Sequence, residues 1–197
     1  MAEPKELVVV IHGFAGKRLW MFPLTRSLGH RFEVVNWSYF SFGGSIRDHG
    51  KRFFKFLLAH ERYSRIHVVA HSMGCIVTRS ALQCGTIENL ARVVLLAPPN
   101  RGSQVAKMAD PFLGWICRPI RELSASPDSF VNSLAKVVPC ETGVIAAKYD
   151  LLVPLSSTYL PNLKGHVAIL GTHNSLLFSR KTNRMIQVFL QTGSFAA

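Results

Sequence analysis

Six short apolar runs, rich in β-branched residues, recur along the chain: LVVVI (7–11), FEVVNW (32–37), RIHVVAH (65–71), RVVLLA (92–97), GVIAAKY (143–149) and HVAILG (166–171). A strand with one wet face alternates apolar and polar residues. These runs are nearly continuous, so both faces must be covered, as in a parallel sheet packed between helices. Parallel neighbours need crossover connections, and helical patterns lie where crossovers belong. The segment SIRDHGKRFFKFLLAHERY (45–63) opens on Ser45 as N-cap, with Asp48 three residues on, close to a capping box. Its Ile46, Phe53, Phe54, Leu57 and Leu58 share one face, while Arg47, Lys51, Arg52 and Lys55 lie elsewhere. A second helix is expected from about Ser72 to Gln83, closing at Gly85, and a third, RKTNRMIQVFLQTG, near the end. This alternation predicts an α/β fold in three layers with right-handed crossovers, a central, mostly parallel sheet of about six strands flanked by helices. Residues 1–197 are expected to form a single domain.

One stretch breaks the rhythm. Residues 100–140 are punctuated by Pro and Ser around an apolar knot at Phe112–Ile116, and read as an irregular excursion between two strands. With only about 40 residues it predicts a minimal cap, with Phe112–Arg118 as a candidate flap.

Composition narrows the classes. The hydrophobic content of 48% suffices for a sizeable core, yet no run approaches the roughly 18–20 apolar residues of a membrane span. The N-terminus lacks a basic region followed by a long apolar one, so no secretory leader is expected, and the address stays open between cytoplasm and secretion. A formal charge of +12, from 23 Lys+Arg against 11 Asp+Glu, suits anionic partners such as a lipid surface. The basic residues are dispersed and carry no aromatic-interleaved patch, so nucleic acid is not expected. Cys75 and Cys84 fall in one expected helix about 13 Å apart along its axis, too far to bridge. Any disulfide would have to use Cys117 or Cys140; the four read as mostly free, buried thiols. No CxxC pair or His/Cys cluster suggests a metal, no cofactor is implied, and a monomer is expected.

The chemistry-bearing residues sit at strand ends. In VVAHSMGCIV (68–77), Ser72 stands between a buried strand and a helix, flanked by the small residues Ala70 and Gly74. A sharp strand–turn–helix strains the backbone at its tip, so its neighbours must be small. The helix begins at the serine, and its first amides face any negative charge forming there. In VVVIHGFAG (8–16), a buried strand ends at His12-Gly13-Phe14, where the Phe14 amide could join that of Met73 in an oxyanion hole. Asp150 and His173 each follow a strand at the edge where open α/β sheets bind ligands. Asp110 and Asp128 compete for the acid role from beside Pro111 and Pro127 in the excursion, and His166 competes with His173 from the start of its strand. His12 and His71 flank the site and read as scaffold.

Together these motifs resemble the serine lipases and esterases of the α/β-hydrolase superfamily, particularly small bacterial lipases with minimal caps. The resemblance is carried by HGF (12–14), AHSMG (70–74), PPNRGS (98–103), KYDLLVP (148–154) and GTHNSLL (171–177), in the family's order across nearly the whole chain. It implies the α/β-hydrolase fold, Ser72 as nucleophile, Asp150 and His173 as acid and base, and the Phe14 and Met73 amides as oxyanion donors. Ala70 departs from the usual first glycine of the elbow, and Asn100 stands where such lipases commonly have histidine. The implied reaction is hydrolysis of carboxylic esters of short to medium acyl chains, extending to triglycerides or polyesters, through an acyl-enzyme. A thioesterase or acyltransferase would keep the same three residues, whereas a non-catalytic binding relative would normally have lost one. Trp20, Phe112, Trp115, Leu151, Leu152, Leu176 and Leu177 lie near the inferred site in sequence and are the candidate acyl pocket.

Overall fold

A computed structural model describes residues 6–196. The six apolar runs become strands β1 (Glu6–Ile11), β2 (Glu33–Trp37), β3 (Arg65–His71), β4 (Leu90–Leu96), β5 (Glu141–Ala147) and β6 (Gly165–Ile169). All five pairings are parallel, in the order β2-β1-β3-β4-β5-β6. The sheet is therefore the expected one, with β4 and β5 each starting two residues earlier than the apolar runs.

Alternate residues along β1 sort into two cores. Leu7, Val9 and Ile11 pack on one face with Phe53, Leu57 and Ile76, while Val8 and Val10 pack on the other with Leu24, Ile186 and Phe189. The helices behind those side chains are α1 (Phe22–Leu28), α2 (Ile46–Leu58), α3 (Met73–Ala81) and, after the excursion, a C-terminal helix at Arg180–Thr192. Helices α2 and α3 cover one face, and α1 with the C-terminal helix covers the other, which gives the three layers. Each strand residue fully buried in this way contributes roughly 1.5–3 kcal/mol, and that is why the runs tolerate almost no polar residue.

Three local expectations change. Helix α2 keeps its Ser45 cap, whose hydroxyl accepts from the Asp48 amide at 3.0 Å, but ends at Leu58 with Ala59 as C-cap. Helix α3 ends with Leu82 as C-cap, so Gly85 does not close it and Cys84 lies beyond it, exposed. Cys75 is buried, Cys117 and Cys140 are half-buried, and all four are free. The excursion carries three short helices: α4 (Gln104–Leu113), α5 (Arg118–Glu122) and α6 (Phe130–Ser133) precede the C-terminal helix, α7 (Arg180–Thr192). Its serines are caps as well as breakers, for Ser103 accepts from the Ala106 amide at the start of α4. Among the described residues no helix is long and apolar enough to cross a membrane.

Candidate active site

A parallel sheet brings all strand C-termini to one edge, and the turns after β1, β3, β5 and β6 converge there. Ser72, at the tip of the turn from β3 into α3, has φ 53° and ψ −124°, a conformation that L-residues rarely adopt. Two features lock it. The Ser72 amide donates to the Leu96 carbonyl at 2.9 Å, extending the β3–β4 ladder by one bond. The turn also lies hard against the end of β1: a Cβ on Gly74 would stand 2.5 Å from the His12 carbonyl oxygen, and one on Gly13 would stand 2.7 Å from the Ser72 Cβ. Both positions require glycine, Gly74 because backbone meets backbone and Gly13 because it lies against the Cβ of the serine itself. At position 70 a methyl fits, since Ala70 is fully buried within β3 between Ile11 and Leu95 of the adjacent strands.

His173 lies in the turn after β6, with Nε2 2.8 Å from the Ser72 Oγ and Nδ1 2.7 Å from an Asp150 carboxylate oxygen. The carboxylate can only accept, so Nδ1 carries the proton and Nε2 accepts from the serine hydroxyl. The other Asp150 oxygen accepts from the Leu152 and Val153 amides, both at 2.9 Å. Burial pushes the Asp150 carboxyl up, but the hydrogen bond and charge of His173, with those two amides, outweigh it and hold it below the ordinary carboxylate range. The alternatives lie elsewhere: Asp110 pairs with Arg121, and His166 bonds Thr158 at 2.7 Å near the start of β6.

His71 and His12 brace this arrangement. The His71 Nε2–H donates to the His173 carbonyl at 3.1 Å, and burial, with His173 adjacent, pushes its pKa down to about 3. It is thus a neutral strut holding the turn that carries His173. His12 donates from Nδ1 to the Gly13 carbonyl at 2.9 Å and stacks on Tyr39, whose hydroxyl donates to the His12 carbonyl at 3.0 Å. Ser41 accepts the Ala15 amide at 3.0 Å, fixing the turn after β1. Among the described residues, the Phe14 and Met73 amides donate to no group, so two hydrogen-bond donors stand unspent beside Ser72.

The cleft above the serine has a volume of about 270 Å³ and is lined by Phe14, Trp20, Met21, Leu152 and Leu177, with His12 and Asn174 at its polar margin. Trp20, Leu152 and Leu177 thus lie where the sequence expected them. Leu176 is instead fully buried in the core beside α7, and Leu151 is 91% exposed. Phe112 and Trp115 lie away from the cleft, 75% and 74% exposed. Met21 and Asn174 lack any sequence signal; only the folding of their turns brings them to the serine. Among the described residues no cluster of His, Cys, Asp or Glu is placed to hold a metal ion. The constellation can remove a proton from a serine hydroxyl, store it on an imidazole and hold negative charge at two free amides.

A model of the alpha/beta hydrolase family matches residues 8–176. The fold resembles that of the mature lipase BlEst2 from Bacillus licheniformis, with a TM-score of 0.76 and 17% identity, covering 98% of this chain and 93% of that one. It also resembles a thermophilic esterase from Thermogutta terrifontis, with a TM-score of 0.71 and 16% identity, covering 96% and 91% of the two chains. At these identities the likeness is one of fold. A probable lysophospholipase, BODYGUARD 5 of Arabidopsis thaliana, is 30% identical over 112 residues, 49% of this chain and 25% of that protein. The chain therefore spans about a quarter of the curated relative it matches.

Proposed function

The chain belongs to the alpha/beta hydrolase family, and on that premise we propose that it is a serine hydrolase of carboxylic esters. The observation that carries this reading is the unbroken relay from Asp150 through His173 to Ser72, with links of 2.7 and 2.8 Å. His173 Nε2 takes the hydroxyl proton as the Ser72 oxygen attacks the ester carbonyl. The resulting oxyanion accepts from the Phe14 and Met73 amides, each donor contributing on the order of 10²–10³ in rate. The imidazolium then protonates the departing alcohol, leaving an acyl-serine. A water molecule, deprotonated by the same nitrogen, attacks the acyl carbon, and Ser72 leaves with its proton restored as the acid is released. Asp150 stays a carboxylate throughout; it fixes the imidazole tautomer and opposes the charge on the ring.

The small, apolar cleft favours short to medium acyl chains, with longer ones running out over its rim. The lipase and esterase among the structural neighbours and the lysophospholipase in the name of the plant relative favour an oxygen ester of lipid character.

Ser72→Ala is expected to abolish hydrolysis of p-nitrophenyl butyrate while leaving the far-ultraviolet circular dichroism spectrum unchanged. A fluorophosphonate probe should label the wild type and spare that variant. Wild-type protein with neither ester turnover nor labelling would overturn the assignment, and a preference for butyryl-CoA over the oxygen ester would move it to thioester chemistry.

A further inference from the structure

Helix α4 turns its large apolar side chains outward. It spans ten residues, none of them buried, although it carries large apolar side chains. At 100° per residue, Val105, Met108 and Phe112 fall within about 60° of one another on its surface, and all three are exposed. The opposite side holds Ala106, partly packed on the core, and the half-buried Asp110, paired with the exposed Arg121 of α5 at 3.3 Å. The apolar stripe thus faces out, beside the exposed Gln104 and Lys107, while the half-buried Asp110 lies toward α5. The chain continues the stripe through Leu113, Trp115 and Ile116, with Ile116 67% exposed. A contiguous apolar surface of this kind is uncommon on a soluble protein without a partner for it.

Its position limits what that partner can be. Helix α4 follows β4, so it stands on the same edge of the sheet as Ser72, and its Ser103 cap donates to the Leu152 carbonyl at the cleft wall at 2.8 Å. On the other side, Cys117 bonds the Phe42 carbonyl, and the Phe42 ring packs edge-on to Phe14 at 4.8 Å. The remaining turns of this edge also display large apolar residues: Leu19 and Phe22 after β1, Phe40 after β2, Leu151 after β5 and Leu170 after β6. Interleaved on the same turns are Lys17, Arg18, Arg101, Lys107 and Lys148, exposed and without a carboxylate at ion-pair distance among the described residues. Apolar side chains ringed by unpaired cations match a layer that is hydrocarbon beneath and anionic at its surface.

We propose that the edge of the molecule bearing the cleft is a lipid-docking face, with the outward stripe of α4 and residues 113–116 seated among the acyl chains of an anionic membrane surface. The ring of cations meets the lipid headgroups, and the cleft opens toward the layer from which an acyl ester would enter. The proposal rests on the ester-hydrolase reading in one respect, that the cleft so delivered is hydrolytic; the binding itself does not depend on it.

The test uses Met108→Ser combined with Ile116→Ser, two exposed positions away from the cleft, and leaves Trp115 as a reporter. Wild-type protein should co-sediment with phosphatidylcholine vesicles containing about one third phosphatidylserine, with a blue shift of tryptophan emission, and less so as salt rises. The double variant should partition at least about tenfold more weakly while hydrolysing soluble p-nitrophenyl butyrate at the wild-type rate. Equal sedimentation of variant and wild type would overturn the proposal, as would equal binding to pure phosphatidylcholine. A dimer in light scattering that the double variant dissolves, without vesicle binding, would give the stripe to a second copy instead. Ser72→Ala should bind vesicles as the wild type does, so failed docking and failed hydrolysis are read separately.

Discussion

At Ser72 a single residue holds both the strain and the chemistry, and its neighbours determine whether the strain persists. A methyl on Gly74 would meet the His12 and Ile11 carbonyl oxygens at 2.5 and 2.9 Å, backbone atoms at the end of β1 that cannot swing away. Gly74→Ala is expected to cost roughly 1–3 kcal/mol of stability and to displace the serine from its base. A urea midpoint and a kcat that both match the wild type would refute this. Asp150 admits a sharper test, because its two oxygens do different work. In Asp150→Asn the amide oxygen would keep the Leu152 and Val153 amides, and the NH₂ group would face Nδ1 of His173. The ring would then have to protonate Nε2, the nitrogen that must accept the serine proton. The expected result is a fall in kcat on the order of 10³- to 10⁴-fold with little change in KM for p-nitrophenyl butyrate and none in fold.

At the level of elements, the turn PPNRGS after β4 shows what Asn100 does in this chain. Its side chain accepts from Arg79 on α3 at 3.3 Å and donates to the Thr158 carbonyl at 2.8 Å, so it ties the helix behind the serine to the turn after β5. Arg79 is buried and, among the described residues, has no carboxylate at ion-pair distance; it bonds the Asn100 and Ala135 carbonyls, and burial lowers its pKa to about 10. Arg79→Ala would orphan these acceptors and is expected to cost roughly 2–4 kcal/mol in chemical denaturation, with the activity of the remaining folded protein kept. This linkage was not legible in the sequence, which showed only that Asn100 replaced a common histidine. The strands were legible because burial on both faces leaves a local mark, a run with no alternation. The relay was legible in outline because its residues follow strands, and parallel strands all end on one edge. Helix α4 was not, for a physical reason: periodicity reports that apolar residues share a face, never which side of the helix meets the protein. Phe112 and Trp115 were therefore read as acyl-pocket residues although they are exposed and do not line the cleft. Ser103 and Pro111 looked like breakers, yet one caps α4 and the other stands in its last turn.

For the whole molecule, the charge of +12 and the buried histidines make folding sensitive to acid. His67 is fully buried in β3 with its Nε2–H donating to Glu6 at 3.3 Å; desolvation outweighs that partner and lowers its pKa from 6.5 to about 4. At neutral pH the contact is a hydrogen bond from an uncharged ring. His71, near 3, is shifted the same way, and burial also lowers His12, His49 and His166. In each case the unfolded chain binds a proton that the folded one refuses. Their contribution is therefore complete above the unfolded value of 6.5 and is lost as pH falls toward the folded value, over 6.5 to about 4 for His67 and 6.5 to about 3 for His71. Within its window each such histidine steepens the fall in unfolding free energy by up to about 1.4 kcal/mol per pH unit. Asp150, with its pKa below the ordinary 3.8, adds a loss of the same sign only in stronger acid, below most of the His67 window and overlapping the lower end of that of His71. His67→Gln keeps a donor toward Glu6 and removes the titration. Urea unfolding followed from pH 7 to pH 4.5 should give the variant a slope shallower than the wild type by nearly one proton. Parallel curves over that range would mean that the folded protein accepts the proton at His67, and that its burial in the sheet is not what sets the acid limit of stability.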